Sequence, residues 1–280
     1  MQIIQTKSEL DSFHQLMKAK GLTVGLTPTM GALHQGHMEL LARSNEECAV
    51  SVVSIFVNPM QFNNKEDLEN YPKTIESDLR ILEGNNCDYL FLPNDSFIYP
   101  KGFEKVKLDI SHLDRRMEGE FRPGHFEGVV NVVFRLFELI KPNTAYFGEK
   151  DYQQLAIVKY MSKQLNLSTE VVGCKTAREE NGLAMSSRNL RLTASGKKEA
   201  AIIHQTLTKG KELATKLSPA ETKTEMMVFF EKSSLDLEYI EIIHPSSLAI
   251  LDQEWTPKAR VCIAAFCEGV RLIDNLQIKD

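Results

Sequence analysis

Two histidines, His34 and His37, stand three residues apart in Pro28-Thr-Met-Gly-Ala-Leu-His-Gln-Gly-His37. Pro28 ends strand pairing, Gly31 permits close backbone approach, and Gly36 sits where a helix should begin. Histidines so spaced at a helix N-terminus project toward one spot, above backbone N–H groups that favour anions. The chemistry suggested is a triphosphate cradle in which imidazole N–H groups donate to phosphate oxygens. A zinc pair and two ordinary surface histidines are the alternatives. The zinc reading lacks an obvious carboxylate or thiol as third ligand.

Three further clusters could take part. In Gly148-Glu-Lys-Asp-Tyr-Gln-Gln154, Lys150 suits a phosphate, and Asp151 suits a helix cap or a ribose. A capped, solvated helix start is the plain alternative there. In Met185-Ser-Ser-Arg-Asn189, two hydroxyls and a guanidinium suit a triphosphate, with Arg188 bidentate to it, although Ser-Ser-Arg is common in loops. In Phe56-Val-Asn-Pro-Met-Gln-Phe62, Asn58 and Gln61 set amides beside apolar groups. Amides bind a hydroxylated or carboxylate-bearing substrate without adding charge; a turn around Asn58-Pro59 is the alternative. Asp78 offers a ribose- or metal-facing carboxylate, or merely a solvated helix face. Arg122-Pro-Gly-His-Phe126 reads as a turn before a helix, and His125 stays outside the catalytic set.

The elements that must position these residues are legible from periodicity. Thr6-Lys-Ser-Glu9 has capping-box spacing, and Leu10, Phe13, Leu16 and Met17 follow at helical spacing. Strands are expected over Leu22–Thr27, Ala49–Val57, Tyr89–Leu92, Ala145–Phe147 and Thr169–Val172. Helices are expected over Gly36–Glu47, Thr74–Glu83, Val129–Ile140 and Tyr152–Leu165. This alternation predicts an α/β fold, a Rossmann-like doubly wound parallel sheet over residues 1–175. Ligands in such folds bind beyond the carboxyl ends of the strands, so the loops after Thr27, Val57 and Phe147 are the ones to inspect. Residues 176–280 change character. Helical patterns at Ala194–Lys216 and Pro219–Lys232 precede strand-like runs at Leu237–Ile243, Val261–Phe266 and Arg271–Ile273, which predicts a smaller α+β domain.

Composition bounds the reading. The 280 residues suggest about two domains, and 42% hydrophobic with 25% charged residues exclude disordered, collagenous and disulfide-scaffold classes. A net charge of −5 argues against nucleic acid or a membrane surface as partner. No apolar run approaches the roughly 20 residues that span a bilayer, and Met1–Lys7 does not read as a signal peptide. Cys48, Cys87, Cys174, Cys262 and Cys267 form no C-x-x-C pair and read as free thiols, so the expected location is cytoplasmic.

Taken in order, the motifs resemble one family. The His34-x-Gly-His37 and Met185-Ser-Ser-Arg188 loops are similar to the nucleotide-binding signatures of the HxGH nucleotidylyltransferase superfamily. Pro28 to His37, Ile55-Phe-Val-Asn-Pro-Met-Gln-Phe62, Arg122 to Phe126, Phe147 to Asp151, Ser186 to Asn189 and Arg271-Leu-Ile-Asp-Asn275 together resemble the pantothenate synthetase (pantoate–β-alanine ligase) family. The matches run over essentially the whole chain. Asn131, His244 and Cys267-Glu268-Gly269 depart from that family's pattern outside these motifs.

The resemblance implies ATP-dependent condensation of (R)-pantoate with β-alanine through a pantoyl adenylate, with Mg²⁺ accompanying ATP. It implies catalytic roles for His34, His37, Lys150 and Arg188. It places Met30, Gly31, Ala32, Leu33, His34, Gln35, Gly36 and His37 at ATP, with Gly148, Glu149, Lys150, Asp151, Ala177, Met185, Ser186, Ser187 and Arg188. Pantoate would meet Asn58, Gln61 and Gln154, and Gln61 would also face β-alanine. His37 is implied as proton donor, although a neutral imidazole donates a hydrogen bond equally well. A homodimer and a C-terminal lid complete the expectation. Two other readings compete. A nucleotidylyltransferase of the same superfamily would join AMP to a phosphorylated acceptor, without needing the amide set. A non-catalytic nucleotide-binding module would tolerate loss of His37, Lys150 or Arg188, yet all three are present.

Overall fold

Six strands pair in parallel in the order β1-β4-β3-β2-β5-β6: β1 Gln2–Ile4, β2 Val24–Thr29, β3 Val50–Ile55, β4 Tyr89–Phe91, β5 Thr144–Gly148 and β6 Glu170–Cys174. The computed structural model describes residues 1–63 and 65–280. The chain divides into two compact units. The first comprises Met1–Ile110, Phe121–Glu149 and Gln154–Lys175; the second comprises Ser111–Glu120, Lys150–Gln153 and Thr176–Asp280.

In the first unit the helix Lys7–Lys20 begins with the expected capping box, Thr6 and Glu9 satisfying each other's backbone N–H, and ends at left-handed Gly21. Strand alternation sends Leu90 to one face, where it packs with Leu41 of the helix Gln35–Glu47 and Leu82 of the helix Ile75–Gly84. Its neighbours Tyr89 and Phe91 face the other side and meet Phe13 and Phe97 edge-on. The sheet is therefore covered on both faces, which explains why β3 is buried at every residue and carries only Ser51 and Ser54 as polar residues among apolar side chains.

One expectation fails instructively. Strand β2 does not stop at Thr27; it runs through Pro28 to Thr29, with Pro28 opposite Ser54 of β3. Pro28 is tolerated because, among the described residues, β5 pairs with β2 at Gly25 and Leu26 and no strand pairs with that side of β2 farther along. Strand β1 escapes sequence reading because three residues carry no measurable period. The helix His125–Ile140 starts four residues earlier than the apolar run suggests, directly after left-handed Gly124.

The second unit carries an antiparallel sheet of β7 Asp236–Ile243, β8 Arg260–Cys267 and β9 Val270–Gln277. Leu207 and Ile203 of the helix Ile202–Leu213, and Met226 and Phe230 of the helix Pro219–Phe230, bury against Ile240, Val261, Ile263 and Leu272. The long helix expected from Ala194 is two helices, Ala194–Glu199 and Ile202–Leu213, because three-residue hydrogen bonds tighten the chain at Ala201 and Ile203. Strand β9 is longer than the expected Arg271–Ile273, since Asp274 and Asn275 continue it as buried polar residues. Glu268 and Gly269 both take positive φ and form the two-residue β8–β9 turn.

His204, on the helix Ile202–Leu213, is pressed beneath Gly182 with Nδ1 buried and without a hydrogen-bond partner among the described residues. Burial, followed by the nearby Arg178 charge, pushes its pKa below the ordinary histidine value, with Asp274 opposing. The unfolded chain takes up this proton near pH 6.5 and the native state only at lower pH. Stability is thus full above about pH 6.5 and falls as pH drops. His204→Gln should flatten that part of the stability curve, read by urea unfolding between about pH 5 and 7. An unchanged slope would assign the effect elsewhere.

Candidate active site

The loop leaving β2 is held from below by a carboxylate. Asp78, 2% exposed, accepts the Ala32 N–H at 3.0 Å and the Leu33 N–H at 2.8 Å, and Thr74 donates its hydroxyl to it. It is buried, not the solvated helix-face residue that was one of the sequence expectations, and its hydrogen bonds go to the backbone of the loop and to Thr74. Gly31 takes φ 81°, the turn requiring a residue free of a Cβ penalty. Ala32 follows at φ 49°, an uncommon conformation for a residue with a side chain, held by the Asp78 bond. The Thr29 hydroxyl donates to the Ser54 carbonyl and accepts from Gly31, tying the loop to β3.

The two histidines begin the helix Gln35–Glu47 together. His34 is its N-cap, Nδ1 accepting the Gly36 N–H at 3.2 Å, while His37 Nδ1 accepts the His34 N–H at 3.3 Å. This is a capping box built from imidazoles. The ring centroids lie 4.0 Å apart. With each Nδ1 accepting, each neutral ring carries its proton on Nε2 and is a donor there. Protonation would add a hydrogen to Nδ1 and break both caps.

An amide pair lies beside this loop. Asn58 Nδ2 donates to Gln61 Oε1 at 3.1 Å, and Gln61 Nε2 lies 3.1 Å from the Met30 sulfur. Both amides are buried. Their frame comes from residues that sequence reasoning left out. Tyr99 donates its hydroxyl to Asn58 Oδ1 at 2.9 Å, burial pushing its pKa far up and keeping the hydroxyl protonated. His125 holds the Gln61 carbonyl through Nδ1 at 2.8 Å, and the Arg122 guanidinium lies 3.2 Å from its Nε2. The Gly128 carbonyl accepts from Asn58, and a Cβ on Gly128 would collide with the Met60 carbonyl. The Arg-Pro-Gly-His turn was the available signal, but no period or spacing linked it to residues more than 60 positions earlier.

The remaining candidates follow strands or loops. Gly148 ends β5, and Glu149 enters a 3-10 turn, Glu149–Asp151, followed by the helix Tyr152–Gln164. Gln154 is half-buried in the first turn of that helix. In the second unit the Lys150 ammonium lies 3.7 Å from Asp151. There the stretch Ala177–Met185 closes on itself. Met185 N–H donates to the Ala177 carbonyl, Arg178 pairs with Ala184, and the Arg178 guanidinium grips Asp274 at 2.6 and 3.0 Å. Ser186 then caps a short 3-10 turn, Ser187–Arg191, accepting the Arg188 N–H. Asn189 is buried and donates to Glu179 and to the Ala184 carbonyl. The loop geometry of Ser186 to Arg188 is thus set by buried neighbours on both sides.

The family model for pantoate-beta-alanine ligase matches residues 2–277. A pantothenate synthetase of Bacteroides fragilis is 45% identical over 287 aligned positions, covering 100% of both chains. The crystal structure of pantothenate synthetase from Thermus thermophilus superposes with a TM-score of 0.92 at 40% identity over 100% of both chains. That of pantoate-beta-alanine ligase from Francisella tularensis, complexed with beta-gamma ATP and beta-alanine, gives 0.78 at 33% identity, covering 99% of this chain and 98% of that one.

Two substitutions test the frame of the site. Asp78→Ala leaves two buried N–H groups without their acceptor and should destabilise the fold by about 2–4 kcal/mol in denaturant unfolding. Gly128→Ala forces the helix off the Met60 carbonyl and should cost about 1–3 kcal/mol. Wild-type stability in either variant would show that the loop relaxes without these contacts.

Proposed function

The chain belongs to the pantoate-beta-alanine ligase family, and from that premise we propose how its own residues carry the family's reaction. The reaction is ATP-dependent ligation of pantoate to β-alanine. In our reading the pantoate carboxylate attacks the α-phosphorus of ATP, giving pantoyl adenylate and releasing pyrophosphate. The β-alanine amine then attacks the acyl carbon and expels AMP, forming the amide of pantothenate.

The observation that best supports this reading is the imidazole capping box at the carboxyl end of β2. It assigns the imidazole protons of His34 and His37 to Nε2, donor positions at a helix N-terminus whose chemistry suits phosphate oxygens gaining charge in adenylation. His37 acts in this scheme as a neutral hydrogen-bond donor rather than as an acid, because its Nδ1 is already an acceptor. Met30 to Gly36 contribute backbone and walls to the ATP site, with Gly148, Glu149 and Asp151 at the nucleoside and Ala177 at adenine. Lys150 and Arg188 supply cations for the phosphates, and Met185, Ser186 and Ser187 bind the triphosphate. Asn58, Gln61 and Gln154 hold pantoate, whose hydroxyls and carboxylate match amide donors and acceptors, and Gln61 also meets β-alanine. No covalent enzyme nucleophile is required.

Among the described residues no group of three or more His, Cys, Asp or Glu is placed to hold a metal ion. In this reading Mg²⁺ would come with ATP, held by its phosphates, and would neutralise phosphate charge. Among the same residues no helix is long and apolar enough to cross a membrane. A cytoplasmic homodimer with a C-terminal lid formed by residues 176–280 belongs to the same proposal and rests on the family resemblance.

The test is AMP release from Mg²⁺-ATP with pantoate and β-alanine together and each omitted in turn. Release needing both, and pyrophosphate exchange needing pantoate alone, are expected. AMP transfer indifferent to β-alanine would move the chain to nucleotidyl transfer onto another acceptor. His37→Gln should lower the exchange rate about 10²-fold, the usual cost of one donor to developing charge, and a rate within twofold of the parent would remove His37 from the phosphates.

A further inference from the structure

Four residues, Lys150–Gln153, group with the second unit although the chain on either side of them groups with the first. Within the second unit they are held more fully than a surface turn requires. Asn275 Nδ2 donates to the Lys150 carbonyl at 2.8 Å, and Asn275 Oδ1 accepts from Arg260 at 2.6 Å. The Arg260 guanidinium stacks 4.1 Å from the centre of the Tyr152 ring, and the Tyr152 hydroxyl donates to the Pro245 carbonyl at 2.8 Å. Gln153 donates to the Leu113 and Arg116 carbonyls at 2.7 and 2.9 Å and accepts the Glu118 N–H at 3.0 Å. The Glu118 carboxylate is in turn locked by Arg271 at 2.7 and 2.8 Å and by the Tyr239 hydroxyl at 2.9 Å.

Arg271 and Asn275 lie four residues apart on β9 and therefore on one face of that strand. One strand face thus governs the backbone of Lys150 directly, the Tyr152 ring through Arg260, and Gln153 through Glu118. Asp274, next along the strand, grips Arg178 at the start of the loop leading to Ser186. Asn275, Asp274 and Glu118 are all buried. Desolvating so many polar groups adds little net stability, so accurate placement is the better account of the network. The Lys150 ammonium takes no part in it.

We propose that Asn275 is a positioning residue for Lys150: its hydrogen bond to the Lys150 carbonyl sets where the lysine presents its ammonium. The proposal rests on the reading that Lys150 contacts the phosphates of ATP. Asn275→Asp preserves size and the acceptor for Arg260, while replacing the donor with an oxygen facing the Lys150 carbonyl.

A double-mutant cycle decides the matter. Pantoate-dependent ATP–pyrophosphate exchange and ATP binding by calorimetry are measured for the parent, Asn275→Asp, Lys150→Met and the pair. Asn275→Asp should slow exchange about tenfold with an intact thermal transition. In the Lys150→Met background the same change should cost less than about twofold, because the group it positions is gone. A tenfold loss in both backgrounds, or no loss in either, overturns the proposal. A Lys150→Met protein with parental exchange and ATP affinity overturns the phosphate reading itself, whatever Asn275 does. Should Asn275→Asp not fold, Tyr152→Phe replaces it in the cycle. It removes the Pro245 bond, keeps the ring beneath Arg260, and should show a smaller loss that also vanishes without Lys150.

Discussion

Strands β2 and β5 share only two residue pairs, Gly25 with Thr144 and Leu26 with Ala145, before they part. Beyond that point β2 continues beside β3 and β5 beside β6. From β2 the chain winds outward through β3 and β4 in one direction, then returns to place β5 and β6 on the other side. The reversal opens the sheet at the carboxyl end of β2, the strand that leads into the helix Gln35–Glu47. Everything placed in the first unit's candidate site follows from this parting. It lets Pro28 stand in a central strand, and it puts His34 and His37 at the opening.

An opening alone does not make a binding surface; the loop crossing it must keep its shape. Asp78 does this with two hydrogen bonds to consecutive N–H groups, which hold Ala32 in a left-handed conformation. Such a carboxylate stabilises the backbone while adding negative charge beneath a loop that, in the proposed reaction, must accept phosphates. The imidazole donors and helix N-terminus oppose that charge at closer range. Asn58 and Gln61 are treated similarly: Tyr99 and the Gly128 carbonyl orient the Asn58 amide, and His125 holds the Gln61 backbone carbonyl.

The second unit uses buried polar contacts where the first uses a strand opening. Arg271, Asp274 and Asn275 on β9 reach Glu118, Arg178 and the Lys150 carbonyl respectively. Ion pairs of this kind cost desolvation and are seldom the most stable way to build a core. Their value lies in directionality: a guanidinium on a carboxylate fixes angle as well as distance. Glu268, at a position that departs from the family pattern, takes a similar local role, accepting from the Thr193 N–H and hydroxyl. His244, another departure, accepts the Ser246 and Ser247 N–H groups through Nδ1, as a carboxylate before proline would.

Local chemistry made much of this legible. Capping at Thr6, the helix starting after His34, the doubly covered β3 and the order of strands and helices all depend on residues within a few positions of one another, and their signals lie in the sequence. So does the set of motifs that marks the family. Tertiary structure alone decided the partners of polar residues far apart in the chain: Asp78 with Ala32, His125 with Gln61, Arg271 with Glu118, Asn275 with Lys150. A buried carboxylate and a solvated one look alike in a helical pattern. Asp274 and Asn275 made β9 look shorter than it is, because polar residues mask an apolar period. The reason is the same throughout: hydrophobic period and capping are short-range properties, whereas a buried hydrogen bond requires both partners to be brought together by the fold.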